Sequence, residues 1–155
     1  STAADMHSEV MTLSPDFDIV IMAAAVSDYR MDTVPGSKLK KADNGGELHL
    51  TLIENPDILK ELSSSKSAQQ LVVGFAAETA TEDELIRIGQ EKLARKGCDL
   101  LILNQVGWDQ GFGTESNTVT VLAAGGDILN TATGSKMSVA DTILDCIATT
   151  PFHNA

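Results

Sequence analysis

Ile19-Val20-Ile21-Met22-Ala23-Ala24-Ala25-Val26 runs without a polar side chain, and Ser27-Asp28-Tyr29-Arg30 follows it directly. A strand with one wet face alternates apolar and polar residues, whereas a strand covered on both faces is apolar throughout. Residues 18–26 therefore read as a strand buried on both faces, ending near Asp28. Two further runs share the pattern: Leu71 to Phe75, and residues 99–104 with Leu100-Leu101-Ile102-Leu103 at their centre. Between them, residues 82–96 place Leu85, Ile86, Gly89 and Leu93 on one helix face, and Gly97 suits a left-handed C-cap. Buried strands alternating with amphipathic helices predict a mostly parallel sheet flanked by helices.

The remaining segments fit around that frame. Residues 2–13 read as a helix with Ala3, Met6, Val10 and Leu13 on one face, broken by Ser14-Pro15-Asp16. Residues 31–46 form a long polar loop holding Pro35-Gly36, Lys38-Leu39-Lys40-Lys41 and the hairpin signal Asn44-Gly45-Gly46. Residues 47–53 alternate, with Leu48, Leu50 and Leu52 facing one way, as in a strand with one polar side. Asn55-Pro56-Asp57 opens a helix to about residue 64, with Asn55 as N-cap and Pro56 in the first turn. A Gly-rich loop with Trp108 and Phe112 follows the third buried strand. Short strands at 118–123 and 128–131 flank Gly125-Gly126-Asp127, and residues 137–147 close as a helix.

Composition narrows the function. The chain has 155 residues, 43% apolar and 21% charged, which fits one soluble domain with a real core. No apolar run approaches the roughly 20 residues of a membrane span. Cys98 and Cys146 are too few for a disulfide framework and read as buried free thiols of a reducing, cytoplasmic compartment. The net charge of −11 argues against nucleic acid and anionic membranes as partners. Yet six of the eleven cations fall in two groups, Lys38/Lys40/Lys41 and Lys92/Arg95/Lys96. Such groups suit a small anionic ligand, although solvated surface lysines look the same.

The candidate residues gather at the carboxyl ends of the predicted strands, where parallel sheets bind ligands. The Asn55-Pro56-Asp57-Ile58 helix start offers free N–H groups to an anion, as does any capped helix. Lys92 and Lys96 share a helix face, toward a phosphate or toward the helix's own negative end. Phe75 can stack on a base or fill the core. Asp28 can bind a metal, a ribose or a base, or cap a turn. The loop at 38–41 can close over a polyphosphate or simply face water. His7, His49 and His153 lack metal-ligand spacing. No Walker lysine loop and no G-x-G-x-x-G after a strand is present, which argues against a dinucleotide redox domain.

Several stretches taken together resemble a known family. Ala23-Ala24-Ala25-Val26-Ser27-Asp28-Tyr29-Arg30 resembles the AAAV-x-DYR signature of phosphopantothenoylcysteine synthetase, also called phosphopantothenate–cysteine ligase. Lys38-Leu39-Lys40-Lys41, Asn55-Pro56-Asp57-Ile58-Leu59, Gly74-Phe75-Ala76-Ala77-Glu78-Thr79 and residues 92–100 are similar to its later motifs, in family order and spacing. The Asn104 turn and the Gly111-Phe112-Gly113 loop also fit.

The resemblance implies a Rossmann-like α/β fold with a small antiparallel strand and loop extension. It implies a cytoplasmic enzyme that joins 4'-phosphopantothenate to cysteine at the expense of CTP, through an acyl-cytidylate, with Mg²⁺. It implies a nucleotide site lined by Ala23, Ala24 and Asp28, backbone groups of Pro56, Asp57, Ile58 and Leu59 on the ligand, Phe75 at the nucleotide, and Lys92 and Lys96 on its phosphates. Lys38 would contact the nucleotide and help form the acyl intermediate. Family members are dimers whose lysine loop reaches the neighbouring site, so a homodimer is expected. The family's opening glycine-rich strand–turn–helix, and the asparagine that carries the acyl-cytidylate to product, precede the first residue here. The expectation is a single domain over residues 1–155, the C-terminal part of the synthetase domain. A nucleotide-binding module without turnover is the alternative.

Overall fold

A computed structural model describes residues 2–34, 36–38, 47–107 and 116–151. In chain order the elements are α1 (Ala3–Leu13), a 3-10 turn (Ser14–Asp16), β1 (Ile19–Met22), β2 (Tyr29–Met31), β3 (Leu52–Glu54), α2 (Ile58–Ser65), β4 (Leu71–Glu78), α3 (Glu82–Lys96), β5 (Leu100–Gln105), β6 (Ser116–Ala123), β7 (Ile128–Ser135) and α4 (Lys136–Thr149). The main sheet has the order β1-β4-β5-β6-β7. β1, β4 and β5 run parallel, β6 is antiparallel to β5, and β7 is antiparallel to β6. Four of the five strands thus point one way, the expected Rossmann-like α/β arrangement. β2 and β3 pair as a separate antiparallel ribbon, the expected extension.

Two cores sandwich the sheet. Leu101, Leu103 and Leu122 face α2 and α3, packing with Leu62, Leu85 and Leu93. Leu100, Ile102, Val119 and Val121 face α4, packing with Val139, Ile143 and Ile147. The alternation of odd and even residues along β5 is the period-2 geometry of a strand buried on both sides. α3 approaches closely because of Gly89, where a Cβ would sit 2.9 Å from side-chain carbons of both Leu103 and Leu122. The helix ends on Gly97 at φ +70°, the left-handed cap its sequence predicts.

The first quoted stretch departs from expectation. Only Ile19–Met22 is strand, and it lies at the sheet edge, with Ile19 and Ile21 40% and 42% exposed. Their face lies beyond the reach of α4, so continuous apolarity here does not mean burial on both sides. Residues 47–51 are not strand; the ladder is confined to β3, extended only by the Asp32 N–H donating to the Thr51 carbonyl (3.0 Å), and Leu48, Leu50 and Leu52 are exposed. On α1, Met6, Val10 and Met11 pack on the core whereas Leu13 is exposed. β6 and β7 are longer than their apolar centres suggest, because threonine pairs such as Thr118 with Thr133 continue the ladder (3.0 Å). The Asn44-Gly45-Gly46 turn, Lys40, Lys41 and the Trp108 to Gly113 stretch lie outside the described residues.

Candidate nucleotide cleft

A cleft of about 530 Å³ opens over the carboxyl ends of β1, β4 and β5. Its floor is small and apolar, supplied by Ala23 and Ala24 after β1 and Ala76 and Ala77 on β4. Asp28 stands on one wall and Phe75 on another. Pro56, Asp57, Ile58 and Leu59 bring in the start of α2, and Lys92, Arg95 and Lys96 bring in the last turns of α3. Every predicted site residue except Lys38 therefore meets in one cavity. Lys38 is exposed and does not line it.

The α2 start differs from its predicted form. The N-cap is Asp57, whose Oδ1 accepts the Lys60 N–H at 3.2 Å. Asn55 is used elsewhere: its Nδ2 donates to the Ser27 carbonyl (2.8 Å) and its Oδ1 accepts from Arg30 (3.1 Å). Arg30 also donates to the Glu54 carbonyl at 2.6 Å, and the Asn55 N–H donates to the Asp28 carbonyl at 2.8 Å. These bonds staple the loop after β1 to the loop after β3 and hold the Asp28 wall in place. Among the described residues, the N–H groups of Ile58 and Leu59 find no partner, as the first turn of a helix dictates.

The cations are not idle. Lys96 Nζ lies 2.6 Å from Asp57 Oδ2, and Lys92 Nζ is paired with Glu78 Oε1. Burial opposes ionisation of Asp57, but the Lys96 ammonium, the Lys60 N–H and the Arg95 charge outweigh it and hold its carboxyl below the usual range. The helix start thus already carries an anion of its own. Arg95 makes no ion pair among the described residues, so it is the uncommitted cation of the cleft. Arg95 is thus open to an anion in the cleft, whereas the two lysines are already shared with carboxylates. An ammonium has three N–H groups and can hold a carboxylate and a phosphate at once.

Glu78→Gln removes the carboxylate that holds Lys92 and keeps its shape. The expected result is pyrophosphate binding tighter by about threefold to tenfold, a modest gain because the pair is partly solvated. Calorimetric titration checks it, and weaker binding in the variant would show that Glu78 aims Lys92 rather than competing for it.

Sequence reading grouped Arg95 with Lys92 and Lys96 as a cation cluster and noted the Asn104 turn, but assigned neither residue to the site. Arg95 sits three residues after Lys92, a spacing that places both on one helix side. Asn104 and Gln105 are the two polar residues that close the otherwise apolar β5. Both cysteines are buried and free, as expected. Burial, reinforced by the Asp99 charge, pushes the Cys98 thiol up to about 11, so it stays protonated and unreactive at neutral pH.

The family model described as DNA/pantothenate metabolism flavoprotein C-terminal domain matches residues 1–150. The chain belongs to this family. It is 40% identical over 148 residues to the coenzyme A biosynthesis bifunctional protein CoaBC of Bacillus subtilis, covering 95% of this chain and 35% of that one. It is 39% identical over 127 residues to CoaBC of Vibrio vulnificus, covering 81% and 31%. The chain thus spans about a third of the length of these curated relatives. Among solved structures, the C-terminal domain of CoaBC superposes with a TM-score of 0.68 at 32% identity, over 94% of this chain and 63% of the other. No helix among the described residues is long and apolar enough to cross a membrane.

Proposed function

We propose that this member of the DNA/pantothenate metabolism flavoprotein C-terminal domain family supplies the nucleotide cleft of a phosphopantothenate–cysteine ligase in coenzyme A biosynthesis, acting on CTP, 4'-phosphopantothenate and cysteine. The observation that carries the proposal is the convergence of Lys92, Arg95, Lys96, the free N–H groups of α2 and Phe75 on one cleft at the strand ends. The relationship to CoaBC proteins supports it.

A carboxylate is a poor electrophile toward an amine at neutral pH. The phosphopantothenate carboxylate therefore attacks the α-phosphate of CTP, forming the acyl-cytidylate and releasing pyrophosphate. The cysteine amine then attacks the acyl carbon and displaces CMP. Negative charge shifts onto the β- and γ-phosphates as the bond to the α-phosphate breaks. Lys92, Arg95 and Lys96 stabilise that charge from α3, and the Ile58 and Leu59 N–H groups do so from α2. Phe75 supplies a flat apolar surface for the nucleoside, and Asp28 an acceptor. Lys38, which does not line the cleft, is assigned to formation of the acyl intermediate.

Among the described residues no three His, Cys, Asp or Glu side chains converge. Mg²⁺ fits as an ion carried on the triphosphate, with Asp28 and Asp57 as the carboxylates within the cleft, and when bound it neutralises phosphate charge. A homodimer belongs to the same proposal. The exposed Val34, Leu48, Leu50 and Leu52 beside the β2–β3 ribbon give it an apolar surface to cover.

The test is calorimetric titration with CTP and Mg²⁺, with CMP as control, together with a pyrophosphate-release assay in the presence of 4'-phosphopantothenate. CTP binding much tighter than CMP binding, with pyrophosphate release, is expected. Binding without release would favour a nucleotide-binding module. No binding of CTP would overturn the assignment of the cleft.

A further inference from the structure

Asn104 is the last inward residue of β5 before the strand ends. It lies level with Ala77 on β4 and Val119 on β6. Leu100 and Ile102 point to the α4 face, while Leu101 and Leu103 point to the α2–α3 face. Asn104 continues the Leu100–Ile102 series, and Phe75, level with Ile102, shares that side. Both line the cleft. Lys92, Arg95 and Lys96 enter it from α3, on the other side of the sheet. The cleft therefore has a cationic end and, across the strand tips, a neutral end made of Phe75 and Asn104.

The Asn104 Oδ1 atom is shielded from solvent and accepts no hydrogen bond among the described residues. Its neighbour Gln105 is anchored, donating to the Ala80 carbonyl at 3.0 Å. Asn117 Oδ1 is likewise unpartnered, but Asn117 does not line the cleft. A shielded carbonyl without a donor is unfavourable, and native chains rarely keep one without reason. A donor that arrives with the ligand supplies the reason.

We infer that Asn104 is a specificity-determining residue whose Oδ1 accepts a hydrogen bond from the nucleoside part of the bound nucleotide. The inference rests on the nucleotide reading of the cleft. The partner is a neutral N–H or O–H group: the exocyclic amine of the base or a ribose hydroxyl. Ionised phosphates are excluded, since they carry acceptors only and are drawn to the cationic end. Phe75 beside Asn104 offers the face on which a base lies while its edge meets the amide.

The test compares the wild-type chain with Asn104→Leu, which keeps the volume and removes the acceptor. Titrations use CTP, UTP (which has a carbonyl where CTP has the amine) and 2',3'-dideoxy-CTP. Asn104→Leu is expected to bind CTP about tenfold more weakly, the effect of leaving one donor unpaired. Wild type and variant should bind alike whichever analogue lacks the relevant donor. If that analogue is UTP, the base amine is the partner; if it is 2',3'-dideoxy-CTP, a ribose hydroxyl is. An equal loss for all three ligands, or undiminished CTP binding, overturns the inference and leaves the cleft assignment standing. Absence of nucleotide binding by the wild type overturns both. Should the leucine variant misfold, Asn104→Ala removes the same acceptor without crowding and is read in the same way.

Discussion

Lys92→Ala combined with Lys96→Ala is expected to weaken CTP binding by about a hundredfold and CMP binding by less than about tenfold. Hydrogen bonds from an ammonium to a charged acceptor contribute roughly 1.5–3 kcal/mol each. Each lysine also leaves or shares a carboxylate when a phosphate arrives, which places the net value per lysine at the lower end. Two such terms give about 3 kcal/mol, or two orders of magnitude. The double change also strips Glu78 and Asp57 of their partners. Asp57 then stands in the cleft without its lysine, and its repulsion of the phosphates adds to the loss. CMP keeps the neutral end of the cleft and carries fewer charges, so it suffers less. Titration at fixed salt, with a melting curve for each variant, separates binding from folding. Equal losses for CTP and CMP would remove the lysines from the phosphate site.

The sequence made the centre of this molecule legible because its centre is governed by local rules. β4, β5 and α3 each carry a periodicity that one neighbour cannot override, and Gly97 caps α3 as its chemistry requires. The site was legible for the same reason: strand ends and helix ends are fixed once the elements are. What escaped depends on partners distant in sequence. Ile19 and Ile21 look like core because nothing within the run reports that β1 stands at an edge. Asn55 and Asp57 are equally good caps by residue type. Asp57 takes the role because Asn55 is drawn to Ser27 and Arg30, which are brought close only by the β2–β3 ribbon. The pairing of Lys92 with Glu78 and of Lys96 with Asp57 spans separate elements, and so does not register in helix spacing. Asn104 shows as a site residue only when its unpartnered oxygen is seen inside the cleft.

The second large effect is expected at the opposite end of the sheet. Asp99 precedes β5, and its carboxylate joins three elements. Oδ2 accepts the Val72 N–H at 2.7 Å, and Oδ1 accepts from Lys66 Nζ at 2.9 Å. Lys66 also donates to the Gln70 carbonyl at 3.0 Å. The Gln70 side chain in turn donates to the carbonyls of Ser14 and Phe17, at 2.6 and 2.7 Å, tying in the turn after α1. Asp99→Ala leaves the Lys66 ammonium, only 17% exposed, without its counter-charge. It also leaves the Val72 N–H without an acceptor. Removing one partner of such a pair costs about 3–5 kcal/mol, because the survivor stays desolvated and uncompensated. For a chain of this size that lowers the melting temperature by about 10 °C or more. Asp99→Asn retains an acceptor for Val72 and is expected to fall between wild type and Asp99→Ala. Replacing both partners, Asp99→Leu with Lys66→Met, removes the stranded charge and should recover part of the loss. Asp99 itself does not line the cleft, so the folded fraction of Asp99→Ala should bind CTP as the wild type does. A melting temperature within about 2 °C of wild type would show that the network does not anchor the amino ends of these strands. Weakened CTP binding in the folded protein would show that the two ends of the sheet are coupled.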